Sequence, residues 1–128
     1  MKEVIINTNV IARYLLRDIP EQFEEAVKTF ASIEKGEQRG YLSILVFDEL
    51  IWVMENYYSF DRRDFIPNIV KILHNKEIKI IEARKETILK VLEEMKNKKI
   101  DFTDLYLNEI KGSRTIISYD RDFKKMKN

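Results

Sequence analysis

The chain has 128 residues, a length that predicts one domain spanning residues 1–128. Hydrophobic residues make up 45% of the sequence, which is enough to build a core and argues against disorder. Lysine and arginine total 23 and aspartate and glutamate total 22, so the net charge of +1 excludes a protein that coats polyanions through its overall field. Any contact with a nucleic acid must then come from a local basic patch.

Missing residue types narrow the chemistry further. Without cysteine, the chain cannot form disulfides, thiolate zinc sites or iron–sulfur clusters, and its one histidine, His74, excludes a histidine-rich metal site. Metal ligands must therefore be carboxylates, which favour hard ions such as magnesium or manganese. No apolar run reaches the ~18 residues that span a bilayer, and the N terminus does not resemble a secretory signal. We expect a cytoplasmic protein.

Predicted strands and helices alternate along the chain. We assign strands to short β-branched runs, and helices to stretches whose apolar residues recur every three or four positions. The pattern predicts a strand at 2–6, helices at 8–16 and 21–34, a strand at 40–43, and helices at 44–57 and 61–73. It continues with a strand at 77–82, helices at 85–98 and 102–111, a last strand at 115–118 and a short helix from 121.

This alternation predicts the fold class. Strands that alternate with helices form a mainly parallel sheet, here of about four to five strands, covered on both faces in a three-layer α/β/α arrangement. The crossover connections bring the C-terminal ends of all strands to one edge, where open sheets of this kind bind ligands. We therefore expect the functional residues at that edge.

Four acidic residues are placed around the predicted edge. Asp101 and Asp104 begin a helix, Asp120 follows the last predicted strand, and Glu49 lies near the start of the apolar helix. Converging carboxylates repel one another, and a divalent cation relieves that repulsion. The pattern indicates a magnesium-type site for hydrolysis of phosphodiesters, with either one or two ions. Taken singly, each acid has a plainer role as a helix cap, a turn residue or a salt-bridge partner.

Glu49 is the most unusual of these acids on a helical wheel. Asp48 and Glu55 share an edge that we interpret as the solvent-facing stripe, whereas Glu49 falls beside apolar residues such as Leu45 and Trp52. An ionised carboxylate among apolar neighbours is costly unless it has a partner or a metal. This position favours a functional Glu49, although a salt bridge at the edge of the helix would also explain it.

Five pieces of the chain occur in a recognisable order and spacing: residues 7–10, residues 13–18, Glu49, residues 101–104 and residues 118–123. In these pieces the sequence resembles PIN-domain proteins, specifically the VapC toxins of type II toxin–antitoxin pairs, over essentially its whole length. The resemblance implies a toxin that is an endoribonuclease dependent on Mg²⁺ or Mn²⁺. It also implies a homodimer and a small VapB-like antitoxin protein that holds the enzyme inactive.

The same resemblance implies a set of site residues. Glu49, Asp104 and Asp120 match the catalytic, metal-binding acids, and Asp101 matches a supporting or additional ligand. Two further positions match hydroxyl groups that orient the acids or water, Thr8 and Ser118.

Asn7 is the one departure from the resemblance, because the family's first motif usually carries aspartate at this catalytic position. An asparagine still offers a neutral carbonyl oxygen to a metal but no negative charge. Changes in residues outside the ligand shell typically cost ~10–100-fold in affinity or activity, and loss of a ligand charge should cost at least as much. The chain is thus either a nuclease, active or weakened, or a catalytically dead PIN-fold module that binds an antitoxin or RNA.

Basic residues accompany the acidic edge. Arg13 and Arg17, four residues apart, are expected to share a face of the first helix and to contact RNA phosphates. Lysines between residues 96 and 99 lead into the acidic start of another predicted helix. Solvated helix faces are the plainer interpretation of such charges.

Two other α/β classes fit poorly. A phosphoacceptor receiver domain needs paired acids after its first strand and an aspartate after its third, where this chain has Asn7 and Glu82. A P-loop enzyme needs the G-x-x-x-x-G-K-[ST] motif, which the sequence lacks.

Overall fold

The fold is built around three parallel strands in a computed structural model that describes residues 1–126. The strands are β1 (Lys2–Ile5), β2 (Gln38–Leu42) and β3 (Ile78–Ile80), in the order β1-β2-β3. The helices are α1 (Thr8–Leu16), α2 (Pro20–Glu34), α3 (Ile44–Trp52) with a π-helical extension (Val53–Tyr57), α4 (Arg62–Leu73), α5 (Lys85–Met95), α6 (Phe102–Ile110) and α7 (Asp122–Lys125). The chain thus has the predicted three-layer α/β/α class with a parallel sheet.

One predicted strand is wrong, and the described sheet has three strands instead of four to five. Residues 115–118 pair with no strand among the described residues, and Ile117 is 95% exposed. A β-branched run favours extended backbone, but a strand also needs an edge beside it to pair with. Here the local preference is present and the pairing is not.

The sheet packs tightly against its helices at the centre of β2. Gly40 pairs with Val4 on one side and Ile78 on the other. A Cβ at Gly40 would lie 2.8 Å from the Cδ1 of Ile6 and 2.9 Å from that of Ile33, so a larger residue would push the helical layer away.

Local signals explain the starts of the helices that follow the strands. Asn7 and Ser43 are the N-caps of α1 and α3, and both side chains accept a backbone N–H of the first turn. Glu82, just after β3, accepts hydrogen bonds from the Ser43 hydroxyl at 2.6 Å and from the Ile44 N–H at 2.8 Å. These bonds lower the pKa of Glu82 and tie the carboxyl ends of β2 and β3 together at the predicted edge.

The apolar helix does not run regularly to residue 57. After Trp52 it widens into the π-helical extension, where the N–H of Tyr58 reaches the carbonyl of Val53 at 3.2 Å. Within residues 1–126, no helix combines the length and the apolar character needed to cross a membrane.

Candidate metal centre

Three aspartates converge where α6 begins and α7 begins. Asp104, Asp120 and Asp122 each offer a carboxylate oxygen, and these three oxygens all lie within 4.8 Å of one another. Asp104 comes from the first turn of α6, whereas Asp120 and Asp122 come from the turn that opens α7. We call these three residues the aspartate cluster.

A pair of side-chain turns shapes the α7 half of the cluster. The hydroxyl of Ser118 accepts a hydrogen bond from the N–H of Asp120 at 2.9 Å, and the Oδ1 of Asp120 accepts one from the N–H of Asp122 at 2.9 Å. Such turns are a usual role of Ser and Asp ahead of a helix. Ser118 therefore supports the backbone that carries both acids.

The aspartate cluster is electrostatically costly. Burial, followed by the charge and hydrogen bond of Asp120 and the charges of Asp101 and Asp122, raises the pKa of Asp104 from 3.8 to about 6. A nearby cation would remove this penalty. The donor set also fits a hard divalent ion, because two oxygens at about 2.0–2.4 Å from one ion lie at most ~4–5 Å apart. Asp101 occupies the N-cap position of α6 without a side-chain hydrogen bond to the helix, and it lies outside the group of three oxygens.

The second part of the predicted ligand-binding edge consists of Asn7, Thr8 and Glu49. They line one shallow cavity of about 310 Å³ together with Arg13. The Oδ1 of Asn7 accepts the N–H of Thr8 at 2.7 Å, so part of its acceptor capacity is used in capping α1. Thr8 is the one buried polar residue among those described. The structure thus gathers the N-terminal site residues around Glu49 and the C-terminal ones around Asp104.

The surroundings predicted for Glu49 are wrong. Glu49 is exposed, and its neighbours on the wheel, Leu45 and Trp52, are 71% and 62% exposed. The predicted solvent-facing stripe is confirmed for Asp48, which is exposed, but not for Glu55, which is partly buried and pairs with Arg62 at 2.7 Å. The helix is apolar almost all round, so the wheel could not tell which apolar face is buried. The argument from a costly buried carboxylate therefore does not apply to Glu49.

A contact between α3 and α6 joins the two parts of the edge. The Oδ1 of Asp48 accepts a hydrogen bond from the hydroxyl of Thr103 at 3.1 Å. Asp48 is adjacent to Glu49 and Thr103 is adjacent to Asp104, so this bond fixes one helix start against the other. Asp48 was expected only to face solvent, and no role was predicted for Asp122. For Asp122, the spacing of two acids ahead of a short helix was the available signal.

The prediction that Arg13 and Arg17 share a face of the first helix is wrong. Arg13 lines the Glu49 cavity and donates to Asp18 at 2.8 Å. Arg17 lies beyond α1 in a left-handed conformation with φ 56°, which turns its guanidinium over the ring of Phe23 at 5.2 Å. Arg13 thus stays close to the acidic edge, and Arg17 points to another surface.

Arg62 holds the loop that leads into α6, a role that sequence analysis missed. Its Nη1 donates to the carbonyl oxygens of Lys98 at 2.7 Å and Ile100 at 2.9 Å. Its Nε and Nη2 pair with both carboxylate oxygens of Glu55. Because α6 begins directly after this loop, Arg62 helps to position Asp101 and Asp104.

Comparison with known proteins places the fold in a family. The model of the PIN domain matches residues 4–128, nearly the whole chain. The comparisons with curated proteins and with solved structures gave no match. PIN domains are generally nucleases that typically use divalent metals, and the aspartate cluster is a donor set of that kind. This chain belongs to the PIN-domain family.

Proposed function

We propose that this protein is a divalent-metal-dependent endoribonuclease that hydrolyses phosphodiester bonds in RNA. The observation that carries the proposal is the aspartate cluster, whose three carboxylate oxygens lie within 4.8 Å of one another at the starts of α6 and α7. Membership of the PIN family supports a nuclease, and the absence of cysteine together with a single histidine leaves carboxylates as the ligands.

In this proposal, one part of the edge binds the metal ion and the other part contacts the attacking water and the phosphate. Asp104, Asp120 and Asp122 would hold a Mg²⁺ or Mn²⁺ ion. When bound, such an ion activates water and stabilises the charge that develops on the phosphate. Glu49 faces the open cavity, where its carboxylate can accept a hydrogen bond from attacking water, and Arg13 presents a guanidinium for the phosphate.

Asn7 weakens this arrangement in our proposal. Its amide oxygen is neutral, and it already accepts the N–H of Thr8. An aspartate there would cap α1 equally well and would add the missing negative charge on the Glu49 side. We therefore expect slower hydrolysis than the fold can support.

A catalytically dead binding module for an antitoxin or RNA is the second candidate. Two observations favour it. Asn7 is neutral where the resemblance implies an acid, and Glu49 lies outside the group of three converging oxygens. In this case the aspartate cluster would bind a cation or a basic partner segment without hydrolysis.

We extend the proposal to a VapC-like toxin with a VapB-like antitoxin, a homodimeric state and a cytoplasmic location. The support for the toxin is the resemblance of residues 7–10, 101–104 and 118–123 to that group. The support for an interface is the exposure of Leu45 and Trp52 on α3, since large apolar side chains at a surface favour association.

Cleavage of RNA tests the main proposal. A mixed single-stranded RNA is incubated with Mn²⁺ or Mg²⁺, or with EDTA, and the fragments are separated by electrophoresis. We expect metal-dependent cleavage by this chain, faster cleavage by Asn7→Asp and no cleavage by Asp104→Asn. Glu24→Gln, an exposed acid on α2, is the matched control and should cleave normally. If neither the parent chain nor Asn7→Asp cuts RNA, the nuclease proposal fails and the binding module replaces it.

A further inference from the structure

We propose that a groove beside the aspartate cluster binds single-stranded RNA, an inference that rests on the proposed function and extends it. The groove has a volume of about 620 Å³ and lies between the start of α4 and the loop that joins α5 to α6. We call it the basic groove. Its lining includes Phe60, Arg63, Lys96, Lys98 and Lys99.

Charge favours a polyanion at this position. The side chains that line the basic groove include five cations, from two arginines and three lysines, and two carboxylates, Glu55 and Asp61. This local excess stands against a net charge of only +1 for the chain. It satisfies the requirement that nucleic-acid contact come from a local patch.

The lysines of the basic groove are available for exchange of partners. Lys96 and Lys98 form ion pairs with Glu93 at 3.0 Å and Glu94 at 3.1 Å, both within or next to one helix. Exposed pairs of this kind contribute little to stability. A phosphate can therefore replace these carboxylates without a large loss, and binding to it releases counterions from the RNA.

An exposed aromatic ring supplies the second half of the recognition. Phe60 lines the basic groove, and 45% of its surface is exposed. Its ring stacks on Tyr58 with centroids 5.8 Å apart and an interplanar angle of 10°, and Tyr57 contacts Tyr58 edge-on at 4.8 Å. This support fixes the orientation of the Phe60 ring. Unpaired bases stack on such rings, whereas bases inside a duplex are already stacked on one another.

The loop that lines the basic groove is held by Arg62 and leads along the chain into α6. Arg62 fixes the backbone of the loop through the carbonyls of Lys98 and Ile100, so the lysine side chains project from an ordered backbone. Lys99 precedes Asp101 by two residues, or about 7 Å of extended chain at most. An RNA strand that binds at Lys99 therefore comes close to the start of α6, where Asp104 lies.

Binding without metal tests this inference separately from catalysis. A fluorescently labelled, single-stranded uridine oligomer is titrated with the protein in EDTA, and anisotropy is followed at several salt concentrations. For Lys98→Gln/Lys99→Gln we expect weaker binding and a fall of about 1.4 in the slope of log K against log salt, since each phosphate contact to a single strand contributes ~0.7. The loop should keep its backbone bonds, because Arg62 contacts carbonyl oxygens rather than these side chains.

The aromatic part is tested by a pair of substitutions. Phe60→Ala should weaken binding by about 5- to 150-fold with an unchanged salt slope, whereas Phe60→Trp should restore it. Lys28→Gln/Lys35→Gln removes two exposed lysines at α2, outside the lining of the groove, and should leave affinity and slope close to those of the parent chain. Circular dichroism of every variant confirms that it is folded.

The outcomes separate this inference from the proposed function. Binding that depends on Phe60 and the two lysines supports the basic groove even if no variant cleaves RNA. Equal binding of parent, Phe60→Ala and Lys98→Gln/Lys99→Gln overturns it even if the chain is an active nuclease. Equal affinity for an RNA duplex, or a loss as large for the α2 control, also overturns it, because binding would then follow charge alone.

Discussion

The two parts of the acidic edge differ in how much charge they concentrate. Around α6 and α7, three carboxylate oxygens lie within 4.8 Å of one another, and burial together with the charges of the neighbouring acids raises the pKa of Asp104 to about 6. Around α1 and α3, one exposed carboxylate, Glu49, shares its cavity with the neutral amide of Asn7 and the guanidinium of Arg13. The first part brings three like charges together, and the second part has a single carboxylate beside a cation.

This difference indicates which side depends on a cation. Repulsion among clustered acids is relieved by a bound divalent ion, so the aspartate cluster gains most from metal. The Asn7–Glu49 side can keep its geometry without an ion, because Asn7 caps α1 through a hydrogen bond to Thr8. Substitutions on the two sides should therefore have opposite consequences for metal binding.

The largest effect is expected from Asp104→Asn, which removes one of the three charges of the aspartate cluster. We expect loss of RNA cleavage by at least about 100-fold, because a lost metal ligand should cost more than the ~10–100-fold typical of outer residues. Mn²⁺ should raise the melting temperature of the parent chain but not of this variant. An Asp104→Asn protein that still cuts RNA at the parent rate would show that the aspartate cluster is not the metal centre.

The second-largest effect is expected from Arg62→Met, which removes the side chain that supports the loop beside the aspartate cluster. The substitution keeps an apolar stem but leaves Glu55 and two loop carbonyls without the guanidinium, so the free energy of unfolding should fall by about 2–3 kcal/mol. Metal binding should weaken as well, because the loop positions Asp101 and Asp104.

Denaturant unfolding and Mn²⁺ titration measure these two effects. Arg63→Met is the matched control, since Arg63 is 73% exposed and pairs with the exposed Asp61, so its loss should hardly change stability. If the two variants unfold alike, the bonds of Arg62 to the loop do not stabilise the fold.

Features fixed by local sequence were predicted well. The bounds of α1 match the prediction, and α2 begins at Pro20, one residue before the predicted start, as the fixed φ of proline favours. The parallel sheet followed from the alternation of strands and helices. These features depend on neighbours in sequence, which a single chain displays directly.

Features that depend on distant partners were missed. The run at 115–118 has strand propensity but no described pairing, and the buried face of α3 could not be read from a helix that is apolar all round. Arg62 contacts a loop 36 residues away in sequence, and no periodicity of the sequence predicts such a contact. Type and spacing singled out Asp104 and Asp120 as candidate ligands but not Asp122, and the division of the candidate acids into two groups required the fold.

A further test adds charge to the side that lacks it. Asn7→Asp should raise the affinity for Mn²⁺ and the rate of RNA cleavage by about 10–100-fold, because it adds a negative charge while keeping the cap of α1. Calorimetric titration and a cleavage assay measure the two quantities. Asn68→Asp makes the same chemical change on α4, at a cavity away from the acidic edge, and should change neither. Equal behaviour of the two variants would mean that position 7 does not act on the metal.

The smallest effect is expected in the pH dependence of stability without metal. The pKa of Asp104 is about 6 in the folded protein and 3.8 ordinarily, so the folded state keeps a proton that the unfolded chain has lost. Between about pH 4 and pH 6 this group therefore makes the free energy of unfolding fall as the pH rises, and below about pH 4 it contributes no difference. Melting temperatures of the parent chain and of Asp104→Asn are compared in EDTA from acidic to neutral pH. As the pH rises, the melting temperature of Asp104→Asn should increase relative to that of the parent chain. Added Mn²⁺ should remove this difference, because it stabilises the parent chain alone. Parallel curves would mean that burial and the neighbouring acids do not raise the pKa of Asp104 in the folded protein.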